Sequence, residues 1–106
     1  MYCLSIQVLP EKVSTFDHKK FLQQLAGVSR TPEVDRFQER GQEFLHYNFF
    51  TEKPVAVWQE LQAALLNPAA DHWAKALLIA CEPLDAPDDA RLLHHPDPRE
   101  KIDTLP

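Results

Sequence analysis

Residues 43–50 read Glu-Phe-Leu-His-Tyr-Asn-Phe-Phe, and this stretch decides the fold that the sequence predicts. It contains four of the ten aromatic residues of the chain. Apolar side chains occur at both alternating sets of positions, so both faces of a strand here would need cover. We therefore predict that this stretch, extended to Thr51, is the central strand of a sheet.

The segment before this strand predicts a strand, a helix and a weak strand. Residues 2–8 alternate between apolar and smaller or polar side chains, which is the period of a half-buried strand. Ser14 and Asp17 resemble a capping box, and Phe21, Leu22 and Leu25 follow at helical spacing, so we predict a helix over 15–26 in which these three are buried. Residues 33–38 are charged and suit a sheet edge. Residues 39–42 predict a hairpin turn in which Gly41 supplies a positive φ.

The segment after the central strand predicts a second helix and a short strand. Pro54 suits a first helical turn, and the stripe Val55, Trp58, Leu61, Leu65 predicts a helix over 54–66 that Asn67-Pro68 stops. Residues 76–81 are a short apolar run, which most simply predicts a strand. Residues 90–95 fit either a fifth strand paired with 76–81, which we favour slightly, or one turn of helix capped by Asp88 or Asp89.

This order of elements predicts an α+β ferredoxin-like sandwich, a βαββαβ arrangement in which two helices cover one face of an antiparallel sheet. Strands 2–8 and 43–51 are expected to be central and adjacent, with 33–38 at one edge and 76–81 beside 2–8. We predict a single domain over 1–95. Residues 96–106 are predicted to be a loosely held, acidic and proline-rich end.

Composition bounds the function. The chain of 106 residues has a formal net charge of −5, and residues 82–106 hold seven acids against three bases. This balance argues against direct nucleic-acid binding. The chain has two cysteines without metal-pair spacing and lacks any apolar run of membrane-spanning length. We therefore predict a cytoplasmic protein with reduced thiols. We expect no cofactor and no metal, we name no catalytic residue, and a binding role is favoured over an enzymatic one.

The sheet face away from the helices is the predicted binding face. The aromatic and aliphatic side chains of this face make it too apolar to be left in water. The C-terminal end, a second copy or a different partner should therefore cover it. In the acidic end, exposed aspartates are predicted to steer a partner by charge; these are Asp85, Asp88 and Asp89. The predicted binding face consists of Phe44, His46, Asn48, Phe50, Ser5 and Ile79, with Cys3, Gln7, Leu77 and Cys81 beside them.

Each chemically capable residue has a simpler interpretation. His46 fits a general base, but a hydrogen-bonded side chain on a half-covered sheet is favoured because no nucleophile or carboxylate is evidently paired with it. Cys3 fits a nucleophile, but a small buried thiol is favoured. We also predict that Cys3 lies directly opposite Cys81, on the same face. Adjacent His94 and His95 would point to opposite faces of a strand, so a solvated loop is favoured over a metal site.

Two functions follow from different classes of protein. The first is a small acidic binding protein that docks on another protein, such as a basic toxin or nuclease, and neutralises or regulates it. In size and charge it is similar to bacterial immunity proteins and antitoxins. The second rests on residues 43–50 and the helix after them, which resemble the strand–helix passage of antibiotic-biosynthesis-monooxygenase-like proteins. That resemblance implies a homodimer, rather than a monomer, acting on a small molecule in a cavity lined by His46 and Asn48.

Overall fold

The computed structural model describes residues 1–66, 71–97 and 99–105. The protein is α+β: five antiparallel strands form one sheet in the order β2-β3-β1-β4-β5. The strands are β1 (Tyr2–Val8), β2 (Glu33–Glu39), β3 (Gln42–Thr51), β4 (Leu77–Pro83) and β5 (Arg91–His94). The helices are α1 (His18–Gln24), α2 (Pro54–Leu65) and the single turn α3 (Asp71–Ala74), and 3-10 turns span Pro10–Thr15 and Pro87–Asp89. Within the described ranges, no helix is long and apolar enough to cross a membrane.

The central position of β1 and β3 and the edge position of β2 are as predicted. Segment 90–95 contains a strand, as favoured, because β5 pairs antiparallel with β4. This fifth strand lies beyond β4 at the end of the sheet, as the favoured interpretation of 90–95 expected. The predicted stop at Asn67-Pro68 lies outside the described residues.

A two-residue turn joins β2 to β3. Arg40 has φ 53° and Gly41 has φ 77°, which is the pair of positive angles that a type I′ hairpin turn requires. Glu39 therefore lies opposite Gln42, and the register of the whole hairpin follows from the turn. The predicted turn at 39–42 is confirmed.

The first helix begins later than predicted. Pro10 opens a separate 3-10 turn that ends at Thr15, and the chain is extended at Phe16. The Asp17 carboxylate then accepts a hydrogen bond of 3.0 Å from the backbone N–H of Lys20. Asp17 is thus the N-cap of α1 rather than a residue inside the helix, so the predicted start at 15 is wrong.

The core lies between the helices and one face of the sheet. Of the helix residues that we expected to be buried, Leu22 and Trp58 are only partly buried. In α2 the buried stripe begins at Val57 rather than at Val55, whose side chain is 38% exposed. The expected residues that are buried are Phe21, Leu25, Leu61 and Leu65.

The face of β4 that points into the core is opposite to the prediction. Cys3 lies across from Glu82, and Leu4 lies across from Cys81, one residue away from the predicted register. Because successive side chains of a strand alternate between faces, this shift moves every side chain of β4 to the other face. Leu77, Ile79 and Cys81 accordingly point into the core. The predicted direct opposition of Cys3 and Cys81 is wrong, and the two thiols lie on opposite faces of the sheet.

The C-terminal end returns alongside β5. The backbone N–H of Asp103 donates to the carbonyl of Leu92 at 2.8 Å, and the N–H of Leu92 donates to the Asp103 carboxylate at 3.0 Å. Arg91 also donates to the carbonyl of Thr104, at 3.2 Å, and Leu105 packs against the core. Through these contacts residues 103–105 are attached to β5 and to the core. That residues 96–106 are loosely held stays a prediction.

Candidate docking surface

The sheet face away from α1 and α2, here called the open face, receives side chains from all five strands. Its members follow from the strand registers, because directly opposed residues share a face. Asp35 lies opposite His46, and Gln7 lies opposite both His46 and Leu78. The open face comprises Cys3, Ser5, Gln7, Glu33, Asp35, Phe37, Glu39, Gln42, Phe44, His46, Asn48, Phe50, Leu78, Ala80, Glu82 and Leu92.

Five of the six predicted binding-face residues lie together here: Phe44, His46, Asn48, Phe50 and Ser5. All five are half-buried. The sixth, Ile79, is 0% exposed in the core, so its predicted place on this face is wrong. The positions that had been expected for Leu77, Ile79 and Cys81 are occupied by Leu78, Ala80 and Glu82.

An aromatic cluster lies at the β2 side of the open face. The Phe37 ring stacks on Phe44 with ring centres 5.3 Å apart and meets His46 edge-on at 5.0 Å. Phe37 is 39% exposed, a large apolar side chain open to solvent. Sequence reasoning did not assign it to this face. The signal was present, because a two-residue turn at 40–41 sets Phe37 opposite Phe44.

A polar chain crosses the centre of the open face. The Asn48 amide donates to the Asp35 carboxylate at 3.1 Å, which joins β3 to β2. On its other side the Asn48 oxygen lies 3.9 Å from the Cys3 thiol, a weak donor on β1. Asn48 therefore links three strands, and its side chain is held by neighbours on both sides.

The open face is acidic. Glu33, Asp35, Glu39 and Glu82 belong to it, and none of the Lys or Arg residues in the five strands does. The strands contain only two such bases. Arg36 and Arg91 lie opposite the core residues Leu45 and Cys81, and so point to the helix side.

One further acid lies in the strands, Glu43 of β3, and it does not add to the charge of the open face. It lies on the helix side and forms a salt bridge of 2.9 Å with Arg36. The open face thus keeps four formal negative charges, three on the edge strand β2 and one on β4, without a base from the strands to neutralise them.

His46 is poorly placed for base catalysis. Burial lowers the pKa of its imidazole below the ordinary value of 6.5, although the nearby Asp35 carboxylate acts in the opposite direction. The ring is therefore neutral at neutral pH. Its Nε2 atom is covered by neighbouring groups and has no hydrogen-bond partner among the described residues. A substrate proton could reach this atom only after the ring moved.

Cys3 is equally unsuited to act as a nucleophile. Burial, together with the negative charge of Glu82, raises the pKa of its thiol to about 11. The reactive thiolate is therefore scarce at neutral pH. With both His46 and Cys3 in uncharged forms, the centre of the open face offers polar contacts to a partner rather than a reactive group.

The predicted steering aspartates lie in the connection from β4 to β5. Asp85, Asp88 and Asp89 are exposed there, just beyond the β4 residue Glu82. Asp89 also lines a cavity beside Pro54 and Val55 at the start of α2.

The two histidines after Leu93 are hydrogen-bonded to other groups. The His94 ring bonds to the carbonyl of Ala74 at 2.8 Å, and the Nδ1 atom of His95 accepts from the N–H of Asp97 at 3.0 Å. Among the described residues, no group of three or more metal-ligating side chains is suitably arranged for an ion.

Two cavities lie away from the centre of the open face. One, of about 510 Å³, lies between Arg91, the start of α2 and Leu105. The other, of about 490 Å³, lies at the opposite end of β4, between the Pro10–Thr15 turn and residues 73–76.

Comparison with protein-family models, with curated proteins and with solved structures found no match. Function therefore has to be inferred from the surfaces described above.

Proposed function

We propose that this chain is a small, non-enzymatic binding protein that docks its open face on a basic surface of another protein and thereby neutralises or regulates it. An immunity protein or antitoxin acting on a basic toxin or nuclease in the cytoplasm is the kind of protein meant. We also propose that the fold is a ferredoxin-like sandwich to which β5 has been added at the β4 edge.

The observation that carries the proposal is the charge of the open face. Three acids of the edge strand β2 and Glu82 of β4 flank a half-buried centre of aromatic and uncharged polar side chains, and no strand base lies among them. A polar periphery beside a less polar centre is the pattern of many protein interfaces. Complementary charge on the partner would speed association and exclude acidic proteins.

The same charge disfavours a second copy as the occupant. In a symmetric dimer built through this face, the acids of both copies would be enclosed in one interface. Like charges brought together in this way oppose association. A basic partner would instead pair with Glu33 and Glu39, which are exposed and have no side-chain hydrogen bond or salt bridge among the described residues.

The direct test uses matched charge variants. A partner is captured on the immobilised chain, identified and purified, and its association with each variant is measured. The double change Glu33→Gln and Glu39→Gln should slow association about threefold or more, because steering depends on local charge. The control Glu11→Gln and Glu100→Gln has the same net charge, alters exposed acids outside the open face, and should leave the rate unchanged.

The apolar centre is tested by a separate variant. Phe44→Ala should speed dissociation about tenfold, since buried aromatic anchors contribute much of the binding energy of an interface. If both double variants behave alike and Phe44→Ala binds as well as the parent, the open face is not the docking surface.

The role of the connection between β4 and β5 has its own test. Replacing Asp85, Asp88 and Asp89 by Asn should slow association far more than it alters dissociation. Raised salt should reduce the difference, because exposed charges are screened over about 8–10 Å at physiological ionic strength. An association rate that stays the same would remove these residues from a steering role.

Solution mass separates this function from the dimeric small-molecule enzyme. A monomer that binds its partner through Phe44 supports the binding protein. A stable homodimer in which the open faces enclose a cavity lined by His46 and Asn48 would support the enzyme instead.

A further inference from the structure

The cavity of about 490 Å³ at the start of β4 is a basic cleft with an aromatic wall. Three lysines from separate parts of the chain line it: Lys12 in the first 3-10 turn, Lys20 in α1, and Lys75 just before β4. In a chain of net charge −5, three lysines around one cavity form a local exception. The aromatic side chains of Phe16 and Trp73 line the same space.

Within the described part of the chain, the positive charge of this basic cleft is only partly neutralised. Among the described residues that line it, Asp17 is the only acid, and its carboxylate accepts the backbone N–H of Lys20 as the cap of α1. Among the described residues, the side chains of Lys12, Lys20 and Lys75 form no salt bridge or hydrogen bond. All three lysines are exposed, so their ammonium groups are free to meet an anion.

The aromatic wall is rigid. Phe16 and Trp73 meet edge to face with ring centres 5.1 Å apart, and each also packs on the buried Phe21, at 5.0 and 5.2 Å. Phe16 is half-buried and Trp73 is 8% exposed, so a small part of each ring reaches the cleft. Packed aromatic rings offer a planar ligand an apolar surface that needs no rearrangement.

We propose that the basic cleft binds a small aromatic anion, whose ring lies against Phe16 and Trp73 while its phosphate or carboxylate group lies among Lys12, Lys20 and Lys75. The volume falls within the range of about 300–1,000 Å³ that is usual for small-molecule sites. Phe16 packs on Tyr47, a core residue of β3, which places the cleft on the helix side of the sheet. The site shares no residue with the open face and is independent of docking there.

The test titrates the full chain with phenyl phosphate, benzoate and inorganic phosphate, with affinity measured by calorimetry and the site mapped by amide NMR shifts. Phenyl phosphate should bind at least about tenfold more tightly than inorganic phosphate, because only the former can use the aromatic wall. Its shifts should centre on residues 12–20 and 73–76. The ratio of phenyl phosphate to benzoate affinity identifies the preferred anionic group.

A triple variant and a matched control test the lysines. Lys12→Gln, Lys20→Gln and Lys75→Gln together should weaken phenyl phosphate binding at least about tenfold. Lys19→Gln, Lys53→Gln and Lys101→Gln alter exposed lysines outside the cleft, carry the same net charge and should bind as the parent does.

Three results would overturn the proposal. The first is the absence of binding at about 10 mM of each probe, which is about ten times the dissociation constant of a 1 mM ligand. The second is an equal loss of affinity in both triple variants, and the third is a set of NMR shifts centred elsewhere. If the first triple variant fails to fold by circular dichroism, the NMR map of the parent chain and the comparison of phenyl phosphate with inorganic phosphate decide the matter alone.

Discussion

Substituting alanine at two neighbouring positions of β4 measures which face of the strand is in the core. Ile79 is 0% exposed and lies opposite Ile6, which is also 0% exposed. Leu78, the residue before it, is half-buried on the open face. Ile79→Ala and Leu78→Ala remove the same number of carbon atoms, so they are matched in chemistry and differ in surroundings.

The structure predicts a large difference between the two variants. At Ile79 the lost side chain leaves an enclosed cavity, and we expect a loss of about 3 kcal/mol in the free energy of unfolding, within the usual range of about 2–5 kcal/mol. At Leu78 the lost surface was already partly in water, and no closed cavity forms, so we expect about 1 kcal/mol or less. A chain of this size is stable by about 5–15 kcal/mol, so both variants should still fold.

Urea denaturation followed by circular dichroism is the assay. With a slope of about 1.5 kcal/mol per molar urea, the midpoint of Ile79→Ala should fall by about 2 M and that of Leu78→Ala by well under 1 M. The milder Ile79→Val should cost about 1 kcal/mol and guards against a variant that fails to fold.

The refuting result is a loss at Leu78 that equals or exceeds the loss at Ile79. It would mean that β4 faces the other way, with Cys3 opposite Cys81. Mild oxidation should then join the two thiols, whereas thiols on opposite faces of the sheet should stay separate.

Three further predictions follow from single sites. Burial lowers the pKa of His46 in the folded chain, so as the pH falls the unfolded chain protonates this imidazole before the folded chain does. The neutral His46 therefore contributes to stability above about pH 6.5, and this contribution is lost as the pH falls below that value. His46→Gln should flatten the dependence of the urea midpoint on pH between about pH 5 and 7.5. Gly41→Ala should lower the free energy of unfolding by about 1–2 kcal/mol in thermal denaturation, because φ is 77° at this position. The control Gly27→Ala, where there is open space and no positive φ, should be neutral or slightly stabilising, and equal losses in the two variants would contradict the turn geometry. Tyr47→Phe should lower stability by about 1 kcal/mol because the buried hydroxyl bonds to His18 Nδ1 at 2.5 Å, and an unchanged urea midpoint would show that this bond contributes nothing.

Local sequence was sufficient for the elements whose determinants lie close together in the chain. Strict alternation in 2–8 marked β1, and the aromatic run over 43–50 marked β3. Gly41 marked the hairpin turn because few other residues tolerate its φ. The same turn sets the register of β2 on β3, so the place of Phe37 beside Phe44 was also contained in the sequence.

At the start of α1 the capping signal was present in the sequence but was assigned to the wrong residue. Ser14 and Asp17 have the spacing of a capping box, and Asp17 has the chemistry of an N-cap. Pro10 opens a separate turn before them, and the structure uses Asp17 as the cap. Phe16, which lies between the turn and the cap, packs against Phe21 and against Trp73, and the second of these contacts is distant in the chain.

Tertiary structure alone decided the face of β4 and hence the content of the open face. Residues 77–81 are apolar at every position, so their sequence has no alternation from which to choose the buried side. The choice came from pairing with β1, where Leu4 and Ile6 meet Cys81 and Ile79. The acidity of the open face likewise became visible only when β2, β3 and β4 were placed side by side, because charges far apart in the chain share a surface only through the register of the strands.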